Sequence, residues 1–122
     1  MPRLLTLLLL VVGCDEGADS DLYDPYIDGR HCDENPSLTW ESFGQPFFMD
    51  HCVGCHSSQL EGEFARGGAV EGVNFNTLDD VRQQLQRIYE RSADNNNTMP
   101  VMDSVPDGER WLLGDYLACG AP

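Results

Sequence analysis

Apolar residues recur at helical spacing in the second half of the chain. One stripe follows the i, i+3, i+7 pattern of a helix with a single buried face; it consists of Leu78, Val81, Leu85, Ile88 and Tyr89. Thr77 and Asp80 resemble a capping box, in which each side chain bonds the other residue's backbone N–H. One helix is therefore predicted from this box to the asparagines at 95–97.

Two further helices are predicted around this one. Pro46 suits a first helical position, and the apolar residues Phe47, Phe48 and Met49 follow it, with Met49 expected in the core. Asp107 is expected to cap a last helix that Gly120 ends. The inward residues of that helix are expected to be Trp111, Leu112, Tyr116 and Leu117.

The segments between the helices lack a continuous period. Residues 57–76 hold four glycines and are predicted to form a loop. Upstream, Leu38, Trp40 and Phe43 fit either a helical turn or a short extended piece. Together these patterns predict a small all-α domain over residues 36–122, with a core that is marginal for its length.

The start of the chain reads as an export signal. Arg3 precedes a nine-residue run, Leu4 to Val12, broken only by Thr6, which is too short to span a bilayer. Val11-Val12-Gly13-Cys14 resembles a bacterial lipobox, so residues 1–13 are predicted to be a lipoprotein signal and Cys14 the lipidated N-terminus. This places the protein in the bacterial cell envelope, facing the periplasm or the exterior. An ordinary signal peptide or a buried apolar segment are the alternatives.

Residues 14–35 are strongly acidic, with eight carboxylates against Arg30. Such a composition buries little apolar surface, which predicts a flexible tether. Tyr23, Tyr26 and Cys32 suggest that its second half docks on the core. Without the signal, six arginines face 21 acids, a formal charge of −15. That charge repels nucleic acid and anionic lipid, and favours a partner protein with a basic docking patch.

Residues 52–56 carry the most specific motif, Cys-Val-Gly-Cys-His. C-x-x-C-H is the spacing for covalent c-type haem attachment, with Cys52 and Cys55 as thioether donors and His56 as the proximal iron ligand. A dithiol redox site would need a βαβ context. A zinc site would need four ligands, here crowded into His51, Cys52, Cys55 and His56.

From this motif the chain resembles a class I monohaem cytochrome c over residues 46–56 and 77–119. The resemblance implies a helical domain wrapped around one haem c. It also implies that Met99, which precedes Pro100 and the last helix, is the sixth ligand. Met102 is the main rival; His31 could reach the iron only if the tether folded over it, and His51 lies too close to the attachment site.

The family's usual proline carbonyl, which accepts a hydrogen bond from the proximal histidine, has no counterpart, because no proline lies between His56 and Pro100. A carbonyl near Ala69 or Val70 is the expected substitute. Arg66 is expected either to neutralise a haem propionate or to be solvated.

With three cysteines assigned, Cys32 and Cys119 remain and are expected to form a disulfide in an oxidising compartment, unless both are unpaired and buried. With both axial positions filled, the resemblance implies electron transfer by a membrane-tethered carrier. No catalytic constellation is recognisable. The alternatives are a haem enzyme subunit or gas- or peroxide-binding sensor with an open sixth site, and a binding module in which haem is structural.

Overall fold

The computed structural model describes residues 30–122, and the predicted signal, Cys14 and most of the tether lie outside this range. Four α-helices form the described part: α1 (Gln45–His51), α2 (Leu78–Arg82), α3 (Leu85–Ser92) and α4 (Asp107–Ala118). A π-helical turn, Trp40–Gly44, leads directly into α1. These residues contain no β-strand, as the helical pattern predicted.

The starts of the π-helical turn and of α1 are explained by nearby residues in the sequence. Thr39 and Ser42 form a reciprocal capping box, which resolves the apolar segment at 38–43 as a helical turn. Pro46 occupies the first turn of α1, where no N–H is required. Phe47 and Phe48 are buried, but Met49 is 54% exposed, so its expected place in the core is wrong. The buried face of α1 is formed by Phe47 and Phe48, and Met49 lies outside it.

The predicted middle helix is two helices. The Thr77–Asp80 capping box begins α2 as expected. At Gln84 the backbone leaves helical geometry (φ −127°, ψ 15°), and its N–H bonds Val81 O at 3.0 Å in a tighter turn. The interruption still buries Val81, Leu85 and Ile88 in one core.

Helix α4 differs from its predicted form at both its start and its inner face. Asp107 is its first residue, no side chain caps its N-terminus, and Gly120 follows its end at φ +80°. Trp111 and Leu112 are 49% and 42% exposed, contrary to expectation. The buried face is instead formed by Arg110, Leu113, Gly114, Tyr116, Leu117 and Ala118.

The two ends of the domain are joined. Trp40 N–H donates to Pro122 O at 2.7 Å, and Gly44 packs directly against Tyr116. Around this crossing lie the buried apolar side chains of Phe47, Phe48, Phe75, Val81, Leu85, Ile88, Ala93, Val105, Leu113, Tyr116, Leu117, Ala118 and Ala121. The core therefore binds the start of the domain to α4, and leaves residues 52–76 and 93–106 as long connections on either side of α2 and α3.

Cys32 and Cys119 form a disulfide, as expected from the cysteine count, with Cα atoms 5.5 Å apart. Nearby, Arg30 bonds Asp94 and Asp115 and lies over the Trp111 ring. The last residues of the predicted tether are thus attached to the core, as its cysteine suggested. No helix within residues 30–122 is long and apolar enough to cross a bilayer.

Candidate haem-binding site

The C-x-x-C-H segment forms a turn at the end of α1. Cys52 N–H donates to Phe48 O at 2.9 Å, and His56 N–H donates to Cys52 O at 2.8 Å, so the helical winding continues for one turn beyond His51. Neither Cys52 nor Cys55 is in a disulfide. The buried Phe47 and Phe48 fix the helix from which this turn projects.

His56 is oriented by the far end of the 57–76 loop. Its Nδ1 lies 2.9 Å from Val73 O, its ring packs 4.9 Å from that of Phe75, and Phe75 N–H donates to His56 O at 3.0 Å. Because a carbonyl only accepts, Nδ1 carries the proton and Nε2 keeps its lone pair for a metal. A backbone carbonyl of this loop accepts the bond from His56, as expected, but it belongs to Val73, three residues after the expected Ala69–Val70 position.

Arg66 organises this loop from inside. Its side chain is 1% exposed, and its guanidinium donates to six oxygens between 2.6 and 3.2 Å. The acceptors are the carbonyls of Ser57, Leu60, Ala69, Val70 and Val73 and the amide oxygen of Asn74. Arg66 was expected either to be solvated or to neutralise a haem propionate. It is buried, and it does not line the cavity beside His56, so it fits neither expectation.

A cavity of about 800 Å³ separates the C-x-x-C-H turn from the loop before α4. This volume lies in the range of ligand and cofactor sites, about 300–1,000 Å³. Three groups of residues line it: Cys52, Cys55 and His56 from the turn, residues 67–70 with Val73 and Phe75 from the glycine-rich loop, and Met99 to Asp103 from the loop before α4. α3 adds Arg87, Ile88, Arg91 and Ser92, and Asp50, His51, Gly54 and Gln84 complete the lining.

The two candidate methionines differ in how firmly they are held. Met99 is partly buried, and both of its backbone polar groups are bonded: its N–H donates to Arg91 O at 2.9 Å, and its carbonyl accepts from Arg110 at 3.0 Å. Met102 is 89% exposed. Both line the cavity, but only Met99 has a fixed backbone from which to present its thioether.

His51, at the end of α1 just before the C-x-x-C-H turn, is bonded to the loop before α4. Its Nδ1 lies 2.5 Å from Asp103 Oδ2, and its Nε2 lies 3.0 Å from Glu109 Oε2 at the start of α4. Burial of the ring lowers the pKa of His51, but the bonds to the two carboxylates outweigh it and leave the pKa raised. The bond from His51 in turn lowers the pKa of Asp103.

Two arginines face the cavity from α3. Of the six arginines in the described range, Arg30, Arg66, Arg82 and Arg110 are hydrogen-bonded to protein oxygens. Arg87 is 3.8 Å from the exposed Glu90, and no ion pair is recorded for Arg91 within residues 30–122. These two cations are one helical turn apart, so they present their charge on the same side of α3.

The dithiol and zinc alternatives find little support in this geometry. Burial, with a smaller effect of Asp103, raises the pKa of the Cys52 thiol to about 12. A thiol that stays protonated is a poor nucleophile for disulfide exchange. Both ring nitrogens of His51 are engaged by carboxylates, and residues 30–122 bring together no three His, Cys, Asp or Glu side chains with metal-binding geometry. His31 is a surface residue beside Asp33, and it does not line the cavity.

Comparison of the chain with protein-family models, curated proteins and solved structures yields no match.

Proposed function

We propose that this chain is a monohaem c-type cytochrome that transfers electrons in the bacterial cell envelope. The observation that carries the proposal is the convergence of the whole C-x-x-C-H triad and Met99 on a single cavity. Met99 lies 43 positions after His56 in the chain, and nothing in that spacing requires it to line the same space as the triad.

The residues around the cavity fit a haem. The volume is adequate, the glycine-rich loop and Ile88 supply apolar surface, and the imidazole of His56 has its Nδ1 proton committed to Val73 O. Cys52 and Cys55 would hold the two vinyl groups as thioethers, each S–H adding across one double bond with no other reactant consumed. Arg87 and Arg91 would face the carboxylates of the propionates, the role that Arg66 cannot take.

Bound haem would supply a one-electron couple between ferric and ferrous iron. The chain's own contribution is to hold His56 and Met99 in similar positions in both oxidation states and to limit access of water. Hydrogen bonds on both sides of Met99 and on His56 Nδ1 serve the first requirement. Val70, Val101 and Met102 line the cavity while remaining largely exposed, which leaves a surface where a partner can approach.

The anchor and the partner follow from the sequence. A lipidated Cys14 would tether the domain to the membrane, with the acidic segment as spacer. The strongly acidic surface of the protein favours fast, salt-dependent docking to a basic redox partner.

The proposal is tested by expressing the full chain with export and haem maturation, then denaturing it. A pigment that stays with the polypeptide in acidified organic solvent, at one haem per chain by mass, is expected, together with a reversible one-electron voltammetric wave. Cys52→Ala with Cys55→Ala should abolish retention. Cys32→Ser with Cys119→Ser removes as many cysteines, away from the cavity, and should retain the pigment. A colourless wild-type chain refutes the proposal.

A further inference from the structure

Two arginines in the described part of the chain are almost completely buried, and each is bonded to the backbone that presents one proposed axial ligand. Arg66 is 1% exposed and Arg110 is 6% exposed. Arg66 is hydrogen-bonded to the carbonyl that also bonds His56, and Arg110 is hydrogen-bonded to the carbonyl of Met99. Buried charges are costly unless they are well bonded, so both positions call for an explanation beyond surface solubility.

On the proximal side, Arg66 and His56 share one acceptor. The guanidinium NH2 group of Arg66 donates to Val73 O at 2.9 Å, and His56 Nδ1 donates to the same oxygen at 2.9 Å. A carbonyl oxygen has two lone pairs, so both bonds can form together. The shared bond draws electron density from the acceptor and limits how strongly it can polarise the imidazole. Arg66 thereby fixes the position of Val73 O and moderates the donor strength of His56.

On the distal side, Arg110 ties three carbonyls of the 92–99 segment to α4. Its NH1 group donates to Ser92 O at 2.8 Å, Asn96 O at 3.1 Å and Met99 O at 3.0 Å. The backbone carbonyl of Arg110 also accepts from Asp94 N–H at 3.0 Å. Together with the Met99 N–H bond to Arg91 O, these contacts hold Met99 between α3 and α4.

Neither arginine is neutralised by a buried carboxylate among residues 30–122. Within the described residues, the acid nearest to Arg66 is Glu71, at 3.9 Å and 64% exposed, and Arg110 forms no ion pair. Carbonyl dipoles stabilise both cations but leave their net charge in place. A positive charge near the iron disfavours the ferric state, which carries one more positive charge than the ferrous state.

We propose that Arg66 and Arg110 are positioning residues for His56 and Met99, and that Arg66 raises the reduction potential of the site. This inference rests on the proposed haem function. Loss of Arg66 removes a nearby charge and also frees Val73 O to bond His56 more strongly. Both effects lower the potential. Loss of Arg110 releases Met99, so an added ligand competes for the iron more easily.

The proximal test compares the potentials of the haem-loaded wild type, Arg66→Lys and Arg66→Gln. Arg66→Gln is expected to lower the equilibrium constant for reduction at least tenfold, about 59 mV for one electron. Arg66→Lys retains the charge but loses the fork of donors, so its potential should lie between those two. If Arg66→Gln does not fold, the potential of Arg66→Lys relative to the wild type tests the role of Arg66. Arg82→Gln is the matched control, since among the described residues Arg82 bonds Ala121 O alone, and it does not line the cavity. Its equilibrium constant for reduction should change less than twofold.

The distal test measures the affinity of the ferric protein for added imidazole. Arg110→Gln is expected to raise it at least tenfold, and Arg110→Lys is expected to raise it less. The proposal is overturned if Arg66→Lys matches or exceeds the wild-type potential, or if Arg110→Gln binds imidazole no better than Arg82→Gln. A wild type without covalent haem would instead refute the proposed function, before any arginine variant is compared.

Discussion

His51 Nδ1 lies 2.5 Å from Asp103 Oδ2, so the residue before the C-x-x-C-H motif is bonded directly to the loop that carries Met99. Glu109 engages the other ring nitrogen at 3.0 Å and brings the start of α4 into the same cluster. Three segments that line or border the cavity are therefore joined through one imidazole. The cluster is strongest when the imidazole is charged and both carboxylates are ionised.

We expect the stability contributed by this cluster to depend on pH in a defined direction. The pKa of His51 is raised, so its contribution is fully present below its ordinary value of 6.5 and is lost as the pH rises through the raised value. The pKa of Asp103 is lowered, so its contribution is present above the ordinary value of 3.8 and is lost as the pH falls through the lowered one. The difference in unfolding free energy between wild type and His51→Gln should therefore be largest from about pH 4 to 6.5.

Denaturant unfolding of the two proteins at a series of pH values measures this difference. His31→Gln is the control, because it removes an imidazole that is 90% exposed and does not line the cavity. A wild-type advantage that is flat from pH 5 to 9, or that grows at alkaline pH, would show that His51 does not act through its charge.

Met99 and Met102 are expected to respond differently to substitution in the haem-loaded protein. Met99→Ala should abolish the near-infrared absorption band of methionine-bound ferric haem and speed carbon monoxide binding to the ferrous form at least tenfold, on the order of 1.4 kcal/mol in barrier. The reason is that the backbone of Met99 is fixed on both sides. Met102→Ala should leave both observables near wild type, because Met102 is 89% exposed.

The matched pair makes the outcome decisive. Loss of the band in Met102→Ala, with the band kept in Met99→Ala, would assign the sixth position to Met102. A wild type that lacks the band and binds carbon monoxide rapidly would favour the sensor or enzyme alternative.

The parts of the fold that the sequence predicts are those with local causes. The Thr77–Asp80 box, Pro46 in α1 and Gly120 after α4 act within a few residues, and each has the expected place. The disulfide follows from counting the cysteines of the chain. The break at Gln84 has no such marker in the sequence, since glutamine is a good helix former.

The misassigned face of α4 and the role of Arg66 share a cause. Arg110 and Gly114 lie on the buried face of α4 together with Leu113 and Leu117. Because a charged residue and a glycine interrupt the apolar stripe in the sequence, the pattern wrongly predicts that Trp111 and Leu112 are buried. Arg66 is likewise buried, because loop carbonyls accept hydrogen bonds from its guanidinium. The hydrophobic periodicity of the sequence cannot predict such contacts.

Removing the disulfide is expected to destabilise the domain substantially. Cys32 and Cys119 are 87 positions apart, and closing a loop of that length contributes about 4.6 kcal/mol in the chain-entropy model. Cys32→Ser with Cys119→Ser should lower the unfolding free energy by roughly this amount in denaturant titrations. Addition of reductant to the wild type should reproduce the loss. A change below about 1 kcal/mol would mean that the Arg30 contacts alone hold this segment.

Gly44→Ala tests the crossing between the π-helical turn and α4. A Cβ at this position would lie 2.5 Å from the Tyr116 hydroxyl oxygen and 2.9 Å from the Trp40 ring. Because both neighbours are large and Tyr116 is 1% exposed, neither can move aside freely, and the substitution should cost about 1–3 kcal/mol through overpacking. Gly108→Ala is the matched control, since its Cβ meets nothing within 4 Å, and alanine should be neutral or stabilising there by up to about 1 kcal/mol. Thermal or denaturant unfolding of both variants checks the pair, and equal stabilities would mean that the two ends of the domain are not packed as closely as this crossing requires.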